Sequence, residues 1–178
     1  AAALTAHGAP ASLCARALAA AADEGRHAAQ MTALAALFDA TPATLELDAV
    51  AAPTLLELAR DNAIQGCVGE TWAALIARHK ADTAELPQIR ATMTAIAADE
   101  TEHAELAWAI DAWLHTILSV AEQTEVLTAR TAACDSLRHH IGAAIDHPAQ
   151  RTAGLPRRST ALALHEGLRR ALWAPAMA

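Results

Sequence analysis

Residues 21–28 read Ala-Ala-Asp-Glu-Gly-Arg-His-Ala and residues 97–104 read Ala-Ala-Asp-Glu-Thr-Glu-His-Ala, so six of eight positions recur after 76 residues. Each copy places a Glu three residues before a His, a spacing that puts both side chains on one face of an α-helix, a turn apart. In each copy the pair also falls within an apolar stripe of helical period. The first stripe is Leu13, Ala17, Ala20, Glu24, His27, Met31, Leu34 and Phe38; the second is Met93, Ile96, Glu100, His103, Ala107, Ile110 and Leu114. A carboxylate in a core-facing stripe needs a partner there. Two such helices facing each other supply two carboxylates and two imidazoles to one interior point, a donor set that suits iron or manganese.

The composition supports helices as the vehicle. Apolar residues make up 54% of the 178-residue chain, much of it alanine, while aromatics are 3% and Tyr is absent. Alanine is the best helix former and β-branched residues are sparse, so close-packed helices are expected rather than strands. The length suits one domain with at most a small appendage. A net charge of −7 argues against nucleic acid as a partner. No apolar run is long enough to cross a bilayer, and no secretory signal opens the chain. The first residue is not Met, so the chain reads as a fragment or processed form and its compartment is left open. Cys14, Cys67 and Cys134 lie far apart without a Cys-x-x-Cys; they form neither a zinc site nor a disulfide framework and are expected to be small buried filler.

Taken in order, residues 1–6 read as the last turns of a helix, and His7-Gly8-Ala9-Pro10 as a turn. Ser12 is placed to cap a helix to about Phe38. A crossover from Asp39 to Pro53 contains Leu45 and Leu47, and a second long helix runs from Thr54 to about Lys80 with Leu56, Ala59, Ala63, Gly66, Glu70, Ala74 and Ala77 on one side. After a short turn Pro87 opens the third long helix. Further helices are expected from Ser119 to about Ile145 and, beyond a loop with Pro148, Gly154 and Pro156, from Ser159 to Trp173. The organisation expected is a bundle over residues 1–116, an additional helix over 117–147 and a loop with an amphipathic helix over 148–178.

The short turn makes the second and third long helices antiparallel, which sets Glu70 and Glu100 at one height. The crossover is long enough to return along the first long helix, so Glu24 reaches nearly the same level. A bundle of this connectivity, with lone Glu residues alternating with two Glu-x-x-His motifs, resembles the ferritin-like di-iron carboxylate superfamily over residues 1–116. Asp23-Glu24-Gly25-Arg26-His27 is similar to the motif in bacterial di-iron monooxygenases. The resemblance implies an up-down-down-up four-helix bundle holding two iron ions, with manganese as the other candidate. It implies that Glu24 and Glu100 bridge the metals, that His27, His103 and Glu70 are terminal ligands, and that Asp23 and Asp99 orient the imidazoles through their other ring nitrogen. The second half spaces Glu70 and Glu100 by 30 residues, and the same spacing would put the matching first-half carboxylate near position −6. The resemblance therefore also implies that most of the first helix is missing from this chain.

Two metals held together can take up two electrons and activate dioxygen or peroxide, so the activity implied is iron oxidation, peroxide reduction or oxidation of an organic substrate. Absence of Tyr argues against a tyrosyl-radical generator, and absence of Cys-x-x-Cys against an attached rubredoxin domain. The alternative is a non-enzymatic ferritin-like structural or interaction module with a degenerate or structural metal; homo-oligomers fit either reading. Gly66 and Gly69 are expected at a close helix crossing, with room for oxygen or substrate as the other reading. Trp72, Trp108 and Trp113 are expected in core or rim. His79, His115, His139, His140, His147 and His165 lack partners at ligand spacing and are expected to be mostly solvated. Arg157, Arg158, Arg169 and Arg170 are expected to form a polar face.

Overall fold

The computed structural model describes residues 1–43, 51–144 and 150–174, all of them in helices or their connections, with no strand among them. A stub α1 (Ala2–Ala6) precedes α2 (Ala11–Ala36). The rod that follows begins with α3 (Leu55–Asp61), passes through a π-helical stretch (Asn62–Glu70) and ends with α4 (Thr71–Thr83). Then come α5 (Pro87–His115), α6 (Val120–Ala143), a single turn α7 (Gln150–Ala153) and α8 (Arg158–Leu168), which closes in a π-helical turn, Arg169–Trp173. The middle of the crossover, with Leu45 and Leu47, and the segment holding His147 and Pro148 lie outside the described residues.

The helix starts have local causes. Thr54 and Ser119 each accept from the backbone three residues on, at Glu57 and Glu122, whose carboxylates return the bond to the cap. Such reciprocal caps satisfy two otherwise orphaned donors. Pro87 opens α5 at the position where its missing N–H costs nothing. Ser12 does not cap α2: Pro10, extended at φ −51° and ψ 137°, takes the cap position, and Ser12 lies inside the first turn.

α5 is the central helix, packed against α2 on one side and against the π-helical stretch and α4 on the other. Its whole expected stripe is buried, from Met93 to Leu114, and each fully buried Leu or Ile there contributes about 1.5–3 kcal/mol. α6 packs on the rod and against α8, whose closing turn reaches back to the rod through Trp173. Gly66 marks the close crossing of rod and α5: a Cβ there would lie 2.7 Å from that of Ala107. Gly69 meets nothing so near, so the tight contact belongs to Gly66 alone of the two.

The first stripe is covered less fully than its periodicity suggests. Leu13, His27 and Leu34 are buried, but Met31 and Phe38 are exposed, because among the described residues α2 packs chiefly against α5 and its other flank is open. His165 corrects the expectation of a solvated histidine. It is 1% exposed and hydrogen-bonds through Nε2 to the Cys134 carbonyl, with its ring 5.2 Å from that of Trp173. Trp173, fully buried, donates from Nε1 to the Cys67 carbonyl at 3.1 Å, so the C-terminal turn satisfies an acceptor in the π-helical stretch. Cys67 and Cys134 are buried filler as expected, while Cys14 is only half-buried. Burial pushes the Cys67 and Cys134 thiols up to about 12 and about 11, keeping both neutral. Arg169 and Arg170 both pair with Glu166 on the polar face of the last helix.

Candidate metal centre

The two copies of the repeated motif meet across the α2–α5 contact. His27 Nε2 lies 3.0 Å from Asp99 Oδ2, and His103 Nε2 lies 3.2 Å from Asp23 Oδ2. Each histidine is thus held by the aspartate of the other copy, and the pairing of 27 with 99 and of 103 with 23 makes the helices antiparallel. α4 and α5 are antiparallel through their three-residue turn, so α2 and the rod run parallel, in the sense expected of a long crossover. Arg26 joins the outer layer, bonded to Asp23 at 2.5 Å and to Asp99 at 3.2 Å. The bond from His103, followed by that from Arg26, holds the Asp23 carboxyl below its usual range.

These contacts fix the imidazole tautomers. An ionised carboxylate can only accept, so Nε2–H donates to it, and in the neutral imidazole Nδ1 then turns its lone pair inward. His27 Nδ1 stands 3.5 Å from both Glu24 Oε1 and Glu100 Oε1, and His103 Nδ1 stands 3.2 Å from Glu24 Oε1 and 3.9 Å from Glu100 Oε2. Acceptors facing acceptors repel unless a proton or a metal cation lies between them. Two atoms of the set, His27 Nδ1 and Glu100 Oε2, are buried without any hydrogen-bond partner, a state that normally costs about 1–3 kcal/mol per group.

The inward atoms form two groups with a common member. Glu24, His27 and Glu100 offer one set of ligand atoms within 4.8 Å of one another, and Glu70, Glu100 and His103 offer a second. A cation bonded to each ligand at roughly 2.0–2.2 Å needs donors spaced on this scale. Glu100 belongs to both groups and is buried. Its burial, and then the adjoining Glu70 carboxyl with the charges of Glu24 and Asp99, pushes its own carboxyl up to about 8. Crowded carboxylates of this kind are relieved by a metal more effectively than by a proton, because the metal satisfies several at once. The residues therefore fit a pair of divalent cations with mixed oxygen and imidazole donors.

All seven singled-out residues converge: Glu24, His27, Glu70, Glu100 and His103 face the interior point, with Asp23 and Asp99 behind the histidines. Glu24 differs from the others in exposure, its side chain being 57% accessible, because among the described residues no helix covers that flank of α2. Glu70 closes the π-helical stretch. π-helical insertions occur preferentially at functional sites, and Gly66 and Gly69 were the sequence signal of a weakened α-helix there. Two cavities open onto the centre. One of about 210 Å³ includes Gly66, Glu70 and His103, and one of about 470 Å³ runs from Glu24, His27 and Glu100 along α4. A further cavity of about 520 Å³ lies between the end of α5 and α6 around Arg130, which is ion-paired to Asp111. Among the described residues no group of three metal-ligating side chains opens into it.

No protein-family model, no curated protein and no solved structure matches the chain. The class of the protein therefore rests on its helices and on this centre.

Proposed function

We propose that the chain is a ferritin-like di-metal carboxylate protein, with iron the first candidate and manganese the second, that oxidises a substrate using dioxygen or peroxide. The observation that carries the reading is the sharing of Glu100 between two ligand groups, with His27 Nδ1 and Glu100 Oε2 buried and unpartnered. In this reading Glu24, His27 and Glu100 would hold one metal, and Glu70, His103 and the shared Glu100 would hold the other. Two iron ions would supply a two-electron couple and Lewis acidity. The protein's own part is positional. Asp99 and Asp23 keep the imidazoles in the ligating tautomer, Arg26 neutralises those aspartates, and Met93, Ile96 and Leu106 surround the centre with apolar surface. The fourth wall of a ferritin-like bundle would lie between α2 and the rod, where Glu24 is exposed and both cavities open. A carboxylate from that side would complete the donor set.

The test is anaerobic addition of Fe(II) followed by air or hydrogen peroxide. Uptake of two equivalents per chain, with an absorption band of the oxidised iron pair that is lost in Glu100→Ala, supports the reading. Iron uptake without oxidation points to the structural-metal module, and no uptake removes both.

A further inference from the structure

We infer that the larger cavity beside the centre binds an apolar monocarboxylate lengthwise, its carboxylate on Lys80 and its hydrocarbon end toward Glu24 and Glu100. The position of the hydrocarbon end as a site of oxidation rests on the metal reading above; the binding itself does not.

The cavity has two chemically different ends. At one end it is lined by Glu24, His27 and Glu100, at the other by Lys80, and between them by Ala28, Met31, Trp72, Ile76, Met93 and Ile96, with no charged group in that stretch. Helix geometry sets the length. On the rod the lining runs from Trp72 to Lys80, eight residues or about 12 Å, and on the antiparallel α5 from Met93 to Glu100, seven residues or about 10 Å. The cavity is therefore an open groove along the helix axes, about 470 Å³ in volume, which suits a small, elongated ligand.

Lys80 is half-buried, and among the described residues no carboxylate pairs with it. Its neighbours on α4 are otherwise engaged: Arg78 pairs with Asp82. Burial holds the ammonium below the usual lysine range, the sign of a cation that lacks its counter-ion. An anion brought to Lys80 supplies the missing charge, and no other Lys or Arg lines the cavity, so a ligand with one carboxylate enters in one orientation. The apolar walls reward a hydrocarbon body at roughly 0.8 kcal/mol per buried CH₂. A dicarboxylate or an amine lacks one of these complementarities.

The experiment is a calorimetric titration of the full chain with octanoate, octanol and octylamine, in chelated and in metal-loaded protein, with Lys80→Met and Lys80→Arg alongside. Octanoate is expected to bind more tightly than octylamine. Its Kd is expected to rise at least tenfold in Lys80→Met and to recover in Lys80→Arg, while the Kd of octanol stays the same in all three. An octanoate Kd unchanged in Lys80→Met, with the thermal midpoint preserved, overturns the inference. So does a chain that self-associates and excludes octanoate, which would place a second copy in the groove; Met93→Trp, which fills the groove without touching Lys80, should abolish octanoate binding and checks the location. Protein that binds octanoate through Lys80 but loads no metal overturns the metal reading alone. Protein that loads metal but treats octanoate and octanol alike overturns this inference alone.

Discussion

Replacing Asp99 by Asn should weaken one of two metals and spare the other. Asp99 accepts from His27 Nε2 at 3.0 Å, while the equivalent bond to His103 comes from Asp23. The two ligand groups are thus supported by different aspartates. A hydrogen bond to an ionised acceptor contributes about 1.5–3 kcal/mol and a neutral one about 0.5–1.5, so Asp99→Asn forfeits about 1–1.5 kcal/mol of support, close to a tenfold loss in affinity. Asp99→Leu removes the bond altogether and should approach the hundredfold loss typical of a missing ligand orienter. Arg26 keeps its contact with Asp23 in either variant, which limits collateral change. Titration with Co(II), followed by its ligand-field absorption, should give a biphasic isotherm in which one equivalent weakens tenfold and the other holds. Asp23→Asn should weaken the other equivalent. Equal weakening of both equivalents by either variant, or no change at all, would refute the assignment of one aspartate to each histidine.

Three further outcomes follow from particular contacts. Metal binding at pH 7 should release about one proton from Glu100, whose carboxyl is pushed up to about 8 in the metal-free protein; calorimetry in buffers of different ionisation enthalpy should show the release vanishing near pH 9. The same group sets a stability trend: its folded pKa lies above the unfolded 4.5, so metal-free protein should lose thermal stability as pH rises from about 4.5 through 8, and bound metal should abolish that loss. Gly66→Ala gains about 1 kcal/mol of helix propensity but sets a Cβ 2.7 Å from Ala107 Cβ, and overpacking of this kind costs about 1–3 kcal/mol. Chemical denaturation should therefore show net destabilisation, relieved by Ala107→Gly in the double variant.

The parts of the fold that were legible in the sequence were those governed by local chemistry. Thr54, Pro87 and Ser119 start helices where their capping chemistry places them, and the α5 stripe is buried throughout because α5 is covered on two sides. The convergence of Glu24, Glu70 and Glu100 could be anticipated from loop lengths alone, since two antiparallel rods and a long return fix relative height. What escaped depends on neighbours distant in sequence. Met31 and Phe38 share a stripe with His27, yet periodicity cannot say that, among the described residues, only one flank of α2 is covered. His165 gave no ligand-like spacing because its partner is a backbone carbonyl, that of Cys134, and carbonyls leave no trace in a sequence. The π-helical stretch left only the two glycines as a hint. Lys80 looked like any surface lysine, and the groove it lines becomes visible only when α2, α4 and α5 are placed together.

Metal stoichiometry tests the central claim most directly. Elemental analysis after loading with Fe(II) or Mn(II) and desalting should return two ions per chain for the native sequence and none for Glu100→Ala, since both ligand groups share that carboxylate. Glu70→Ala should retain close to one. Full loading of Glu100→Ala, or no retained metal in the native chain, would contradict the account.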